Sequence, residues 1–151
     1  MSEAKPIRFG YAQINTDEFA ILSEVSGPVE GATVNVNMAF GFNKTDQVLA
    51  IQVKCVFLQQ SKTLAVVAVS CLFRIFPEDW AALYEEATNK LTIPQITALH
   101  FASLTVSTAR GVFHAKTEKH PINALILPPI NINDFIKGDL VLSGAEMTPA
   151  K

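Results

Sequence analysis

Charge is scarce in this sequence. Asp, Glu, Lys and Arg make up only 17% of the 151 residues, and the net charge is −2, whereas about 25% charged residues is usual in soluble domains. No basic stripe is present, which argues against a nucleic-acid partner. Apolar runs stay below the ~18 residues that a membrane span needs, and residues 1–6 lack the apolar core of a signal peptide. We therefore expect a cytoplasmic protein with no membrane partner.

Cysteine is equally scarce, with only Cys55 and Cys71. Both lie in apolar, strand-like runs without the spacing of metal ligands. If the chain turns near Gln60, the two cysteines stand about five residues out of register, or roughly 16 Å apart along a sheet. Because that separation is too large for a disulfide, we interpret both as small buried hydrophobic residues.

Recognisable catalytic motifs are absent. The sequence has no G-x-S-x-G, no glycine-rich phosphate loop and no H-E-x-x-H. His100 and His114 share a helix face but stand about 21 Å apart, so they cannot bind one metal ion. Asp79 and Glu85-Glu86 fall on a short predicted helix and are interpreted as its solvated face. These observations predict a protein that is not an enzyme and holds no metal or cofactor.

Apolar residues, by contrast, are abundant. They account for 49% of the chain, and there are ten Phe against two Tyr and one Trp. A monomer of this size has difficulty burying so much apolar surface. We expect the excess to form a subunit interface or a surface for apolar ligands.

Hydrophobic periodicity predicts strands in the first half of the chain. Strict alternation over residues 33–42 predicts a half-buried strand, and the same period continues over residues 49–58. Residues 64–76 are apolar on both faces, so we expect this strand to be covered on its second side as well. Residues 9–22 alternate weakly and indicate one long or broken strand. Turn-forming residues separate these segments at 26–31, 43–46 and 59–62, which predicts a four-stranded meander.

The period becomes helical after the sheet. Pro77 opens a short helix that is predicted to run to about residue 87, with acidic residues in its first turn. Thr92-Ile93-Pro94-Gln95 has the form of a capping box, and the main helix is predicted from there to about His114. A short helix is predicted at 132–136, followed by a loose tail from about residue 138.

These elements predict an α+β fold in a single domain over residues 1–151. A four-stranded antiparallel sheet carries the long helix on one face, and short accessory helices complete the fold. No internal repeat or domain linker interrupts the sequence.

The long predicted helix has two apolar sides instead of one. A narrow polar stripe holds His100, Ser103, Ser107, Arg110 and His114. An apolar stripe with heptad-like spacing holds Leu99, Ala102, Val106, Ala109 and Phe113. Since an ordinary surface helix buries one stripe only, we assign the remaining apolar side to contact between subunits, through Phe101, Leu104, Thr108 and Val112.

The phenylalanines predict an apolar groove that holds extended polypeptide. The free energy of burying apolar side chains does not depend on direction, so a groove that binds in this way accepts polypeptides of many sequences. We assign the groove to Phe40, Phe57, Phe73, Phe76, Trp80, Leu125 and Leu127. Two rival hypotheses remain open: a closed cavity between sheet and helix for a small apolar ligand, and an assembly protein without an open groove.

The order of elements, with two short motifs, resembles the SecB chaperone family. Thr108-Ala109-Arg110-Gly111 closes the long helix, and Leu127-Pro128-Pro129-Ile130-Asn131 precedes the last short helix. The resemblance covers roughly residues 9–136. It implies a SecB-like fold, a homotetramer with the long helices in the subunit interface, and peptide grooves for unfolded or precursor polypeptides. By the same resemblance the protein would be an ATP-independent holdase, with protein export as its implied role.

The resemblance also implies handover of clients to the translocation ATPase SecA, which the family docks on acidic positions of the exposed sheet face. Here Asp46 is the only acid between residues 33 and 76, against Lys44, Lys54, Lys62 and Arg74. Only Asp17, Glu18 and Glu24 remain as candidates on the first strand. These charges argue against SecA docking. A SecB-like chaperone that serves another client, such as the antitoxin of a toxin–antitoxin pair, remains an open alternative.

Overall fold

Four long strands form one antiparallel sheet in the computed structural model, which describes residues 5–22, 29–144 and 148–149. They are β1 (Phe9–Ile21), β2 (Thr33–Asn43), β3 (Val48–Gln59) and β4 (Lys62–Ile75). The predicted α+β class and the four-stranded sheet are confirmed. Glu24 and the first half of the predicted turn at 26–31 lie outside the described residues.

The order of the strands is β1-β4-β3-β2, not the order of a meander. The meander prediction was wrong for β1, which pairs along β4 instead of β2. A strand that is apolar on both faces is stable in the middle of a sheet with a neighbour on each side. β4 takes that place because β1 crosses to its far edge.

One face of the sheet forms the core. Leu49, Ile51, Val53, Cys55 and Phe57 are at most 2% exposed, as the period of two predicts. Cys55 lies opposite Val67, so the two cysteines are four residues out of register and not five. A register shift between Phe57 and Leu58 accounts for the difference, and both cysteines are free and buried.

The other face of β4 is covered by polar side chains of its neighbours, not by a second layer. Ala68 lies between Glu18 of β1 and Lys54 of β3 in register. The Glu18 carboxylate and the Lys54 ammonium meet at 2.9 Å across this small residue. The Gln52 amide likewise donates to Asp17 at 2.9 Å. Small residues in the central strand therefore allow long polar chains to bridge above it, which keeps Ala68 at 2% exposure.

Two helices follow the sheet. The first, α1 (Pro77–Leu83), ends earlier than predicted because the chain becomes extended at β5 (Tyr84–Glu85). The long helix α2 (Gln95–Lys116) lies against β3 and β4. Its packing rests on two stacked ring pairs: Phe73 with Phe101 at 4.7 Å and Phe57 with Phe113 at 4.5 Å between centroids.

The predicted capping box at the start of α2 does not form. Thr92 belongs to β6 (Lys90–Ile93), where it pairs with Val141, and no side chain of the N-cap residue caps the helix. The Gln95 N–H donates instead to Asp139 Oδ1 at 3.0 Å. A carboxylate 44 residues away thus takes the position that favours negative charge at a helix start.

The segment predicted as a loose tail contains regular structure. β7 (Leu140–Ser143) pairs with β6, and a small sheet forms in the order β5-β6-β7. β8 (Thr148–Pro149) pairs with β2. Between α2 and β7, the chain forms only two 3₁₀ turns, Pro121–Ala124 and Ile132–Asp134, the second where a short helix was predicted.

Candidate functional site

A hollow of about 300 Å³, lined mostly by apolar residues, opens at one end of the sheet. Val34 and Phe57, which lie opposite each other in β2 and β3, line its sheet side. Leu125, Ile126 and Pro128, from the chain that follows α2, line its other side. We call this hollow the strand-end groove.

The chain that walls the groove is extended because it has few ways to form regular structure. Pro128 and Pro129 have no backbone N–H, so they cannot continue a helix or a central strand. The last backbone bond before them runs from the Leu125 N–H to the Ile122 carbonyl at 2.9 Å. We call residues 125–131 the strap.

Arg110 of α2 attaches the strap to the body of the protein. Its Nε donates to the Leu127 carbonyl at 2.7 Å, and its Nη2 donates to the Pro128 carbonyl at 3.0 Å. Charge-assisted donors form the stronger hydrogen bonds in proteins. A second hollow of about 200 Å³ borders the strap on the α2 side, between Arg110 and Ile130. The strap is therefore attached at two carbonyls with free space on both sides.

The floor of the groove is rigid, while its rim is exposed. Phe57 is 2% exposed, and its ring is stacked on Phe113 with 19° between the ring planes. Ile126 on the strap is 67% exposed. A bound molecule can place an apolar side chain between this rim and the packed aromatic floor. That side chain then loses contact with water, and the fold does not have to change.

The groove lies next to the edge of β2, where the two-residue strand β8 is the one paired strand among the described residues. Pro149 lies opposite Ala39, and Thr148 lies opposite Phe40. Opposite residues of antiparallel strands alternate between pairs that exchange two hydrogen bonds and pairs that exchange none. Since Pro149 has no N–H to donate, the hydrogen-bonded pair is Phe40 with Thr148.

The same alternation shows which backbone groups of β2 point to this edge. Val34, Val36 and Met38 are in phase with Phe40, so their N–H and C=O groups point away from β3. Within the part of the chain that the structure describes, no strand pairs with β2 at Val34 and Val36, which are partly exposed, whereas Met38 is 2% exposed and therefore covered. Their side chains share the face of Phe57, so the unpaired edge continues into the strand-end groove.

The seven residues predicted to line one groove are distributed over several places. Phe57 and Leu125 line the strand-end groove, and Leu127, at 1% exposure, lies buried beside it. Phe40 and Phe73 are core residues at 3% and 0% exposure. Phe76 and Trp80 line two other hollows, near the Val48–Arg74 end of the sheet.

Sequence reasoning missed four residues of the site: Val34, Ile126, Pro128 and Arg110. Ile126 lies in the same apolar, proline-containing run that was singled out for Leu125 and Leu127. The signal for it was therefore present. The role of Arg110 had no sequence signal, because its partners are backbone carbonyls 17 and 18 residues away.

The four residues assigned to subunit contact differ in exposure. Phe101 is fully buried and stacked on Phe73, so its ring offers no surface to a partner. Leu104, Thr108 and Val112 are partly exposed along one side of α2, with the Thr108 hydroxyl donating to the Leu104 carbonyl at 2.8 Å. These three leave a narrow, mostly apolar stripe available.

Two kinds of reactive group, metal ligands and thiols, bear on the chemistry that the described residues can support. In the described ranges, no group of three or more His, Cys, Asp or Glu side chains is placed to hold a metal ion. Burial raises the pKa of the Cys55 thiol to about 12, so this cysteine is protonated and a poor nucleophile at neutral pH. No helix among the described residues is long and apolar enough to span a membrane.

No protein-family model and no curated protein matches the sequence. Among solved structures, the chain is similar to a SecB-like chaperone of Mycobacterium tuberculosis, in complex with a ChAD peptide from the HigA1 antitoxin. The two chains are 14% identical with a TM-score of 0.47, over 82% of this chain and 91% of that chain. We therefore derive the function from the contacts of this chain's own residues.

Proposed function

We propose that this protein is an ATP-independent chaperone that binds unfolded or precursor polypeptides as extended chain. The observation that supports this most directly is the position of the strand-end groove, which continues into the unpaired edge of β2. Backbone groups of Val34 and Val36 offer hydrogen bonds to any extended chain, whatever its sequence. The apolar groove takes alternate side chains of the same chain. No catalytic residue and no cofactor is part of this proposal.

The two kinds of contact explain why such a site would select unfolded chains. A folded client has its strands already paired and its apolar side chains buried, so it offers neither group. An unfolded client offers both, at many places along its sequence. Since each contact is weak, several groove copies in a homotetramer would hold one long client by avidity. Leu104, Thr108 and Val112 are our candidates for the contact between subunits.

The rival hypothesis of a small apolar ligand is less well supported. It requires a closed cavity between the sheet and α2. The Phe73–Phe101 and Phe57–Phe113 stacks occupy that layer, and the strand-end groove lies at its margin and opens to solvent. An extended chain suits this shape better than a compact ligand does.

Handover to SecA through an acidic sheet face is also poorly supported. Of the three candidate acids, Glu18 is paired with Lys54 and Asp17 accepts a hydrogen bond from Gln52. Their charge is thus partly engaged within the sheet. We propose that export by this route is not the role, and that a dedicated client, such as an antitoxin, is the better variant.

The groove is tested by placing a charge on its rim. We expect Ile126→Asp to weaken binding of reduced, carboxymethylated α-lactalbumin at least tenfold, because the carboxylate must lose water beside Phe57 when an apolar side chain binds. Fluorescence anisotropy with the labelled client measures the Kd. Ile126 is exposed, so the fold should tolerate the change.

Ile96→Asp is the matched control. Ile96 is 83% exposed in the first turn of α2 and is not among the residues that line the groove. The Ile96→Asp variant should bind the client with the same Kd as the parent protein. Equal loss in both variants, or no loss in Ile126→Asp, would remove the groove from the account.

A further inference from the structure

The strand β8 lies on the edge to which we assign the client. We propose that Thr148–Pro149 is an intramolecular competitor, which pairs with β2 at rest and leaves when a client strand pairs along the same edge. This inference rests on the proposed function, since it concerns access to that site. The occupant of the edge at rest is then a segment of this chain itself.

The pairing of β8 is short enough to be displaced. Two residues of β2, Ala39 and Phe40, have partners in β8, whereas all eleven residues of β2 pair with β3. Pairing over so few residues is marginal, and Pro149 lacks a backbone donor. A client that pairs with Val34 and Val36 as well as with Phe40 forms more hydrogen bonds than β8 does.

The tether makes so short a strand an effective competitor. β7 holds the chain to β6 up to Ser143, and Gly144 takes a left-handed conformation with φ of +82°. The Gly144 N–H donates to the Asn89 carbonyl at 3.4 Å. Only three residues separate Gly144 from Thr148 in the sequence, so the effective concentration of β8 at the edge is high.

Competition arises because both strands need the same atoms. Phe40 gives its N–H and C=O groups to Thr148, and the next edge-directed groups along β2 belong to Met38. A client strand that enters from the groove at Val34 and continues past Met38 meets β8 at Phe40. It must then stop short or displace β8.

The test removes the donor of β8 without shortening the chain. Thr148→Pro deletes the N–H that pairs with Phe40, and Thr148→Ala keeps it as the matched control. We expect Thr148→Pro to bind reduced, carboxymethylated α-lactalbumin about three- to tenfold more tightly, because a larger fraction of molecules has the edge free. Thr148→Ala should bind as the parent does. Parental affinity in Thr148→Pro would overturn the competition.

Amide hydrogen exchange without client separates the two claims. The Phe40 amide should exchange faster in Thr148→Pro than in Thr148→Ala, because its partner strand is released. Equal exchange in both variants would show that β8 does not hold this edge and would overturn the inference. Faster exchange together with no client binding in any variant would contradict the proposed function and leave the β8 contact in place.

Discussion

Asp79 is a nearly buried carboxylate, 6% exposed, that Arg8 neutralises together with Lys5, whose ammonium lies 3.8 Å away. Arg8 donates to it from its side chain at 3.0 Å and from its backbone N–H at 2.8 Å. These hydrogen bonds, the side-chain bond first, hold the pKa of Asp79 below its ordinary value. The same bond raises the pKa of Arg8. The pair ties the start of β1 to α1.

The pH dependence of stability tests this pair. A carboxyl whose folded-state pKa is depressed contributes stability above its unfolded pKa of about 3.9 and loses it as the pH falls through the lower folded value. We therefore expect Asp79→Asn to lower the free energy of unfolding at pH 7, and the deficit to shrink towards pH 2. Urea unfolding at the two pH values measures it.

Glu78→Gln is the control for this prediction. Glu78 binds the same arginine at 3.0 Å but is 81% exposed, so solvent screens its contribution. We expect little effect at either pH. A deficit in Asp79→Asn that is the same at pH 7 and pH 2 would show that the carboxylate charge is not what stabilises the fold.

Single residues were predictable where their neighbours are close in sequence. The burial of Cys55 followed from the period of its strand and is confirmed. Asp79 was expected on a solvated face and is buried, because Arg8, its partner, lies 71 residues away. Periodicity carries no information about such a contact.

At the scale of elements, the faces of α2 were predictable and its surroundings were not. The predicted polar stripe is exposed or half-buried, and the heptad-like stripe is buried or half-buried. Periodicity shows which side of a helix is apolar. It does not show that Arg110, within the polar stripe, turns to the strap, nor that Asp139 completes the helix start.

Removing the guanidinium of Arg110 tests the strap. Arg110→Met keeps most of the apolar stem and deletes both bonds to the Leu127 and Pro128 carbonyls. We expect a loss of about 1–2 kcal/mol in the free energy of unfolding, faster amide exchange at Ile126 and Leu127, and weaker client binding. Exchange mass spectrometry resolves the strap directly.

Arg74→Met is the matched control. Arg74 is exposed at the other end of the sheet, and no ion pair involves it in the described part of the chain. Exchange in the strap should remain at the parental rate. Unchanged exchange in Arg110→Met would mean that the two carbonyl bonds do not determine where the strap lies.

At the scale of the whole molecule, the fold class followed from the period of hydrophobic residues. That period is about two residues in the strands and about 3.6 residues in the helices that follow. The strand order did not follow, because alternation alone does not say whether β1 pairs with β2 or β4. The small β5-β6-β7 sheet was missed because its strands have two to four residues, too few for a period to show. The peptide-binding groove stays a prediction, and two of its seven assigned residues, Phe57 and Leu125, line the strand-end groove.

The assembly is tested on α2. We expect Leu104→Glu to break the proposed homotetramer, since a buried, unpaired carboxylate in the proposed subunit contact is costly. Ser107→Glu, on the exposed stripe of the same helix, should leave the assembly intact. Sedimentation velocity compares the two variants, and a tetramer that survives in Leu104→Glu would contradict this contact.

The central claim is that the protein holds unfolded polypeptide. The most direct measurement is light scattering on size-exclusion chromatography, with and without reduced, carboxymethylated α-lactalbumin. The account predicts a particle of about 66 kDa, four times the 16.4 kDa of one chain, that gains the mass of one client and keeps it soluble. A monomer that elutes unchanged in the presence of the client would contradict it.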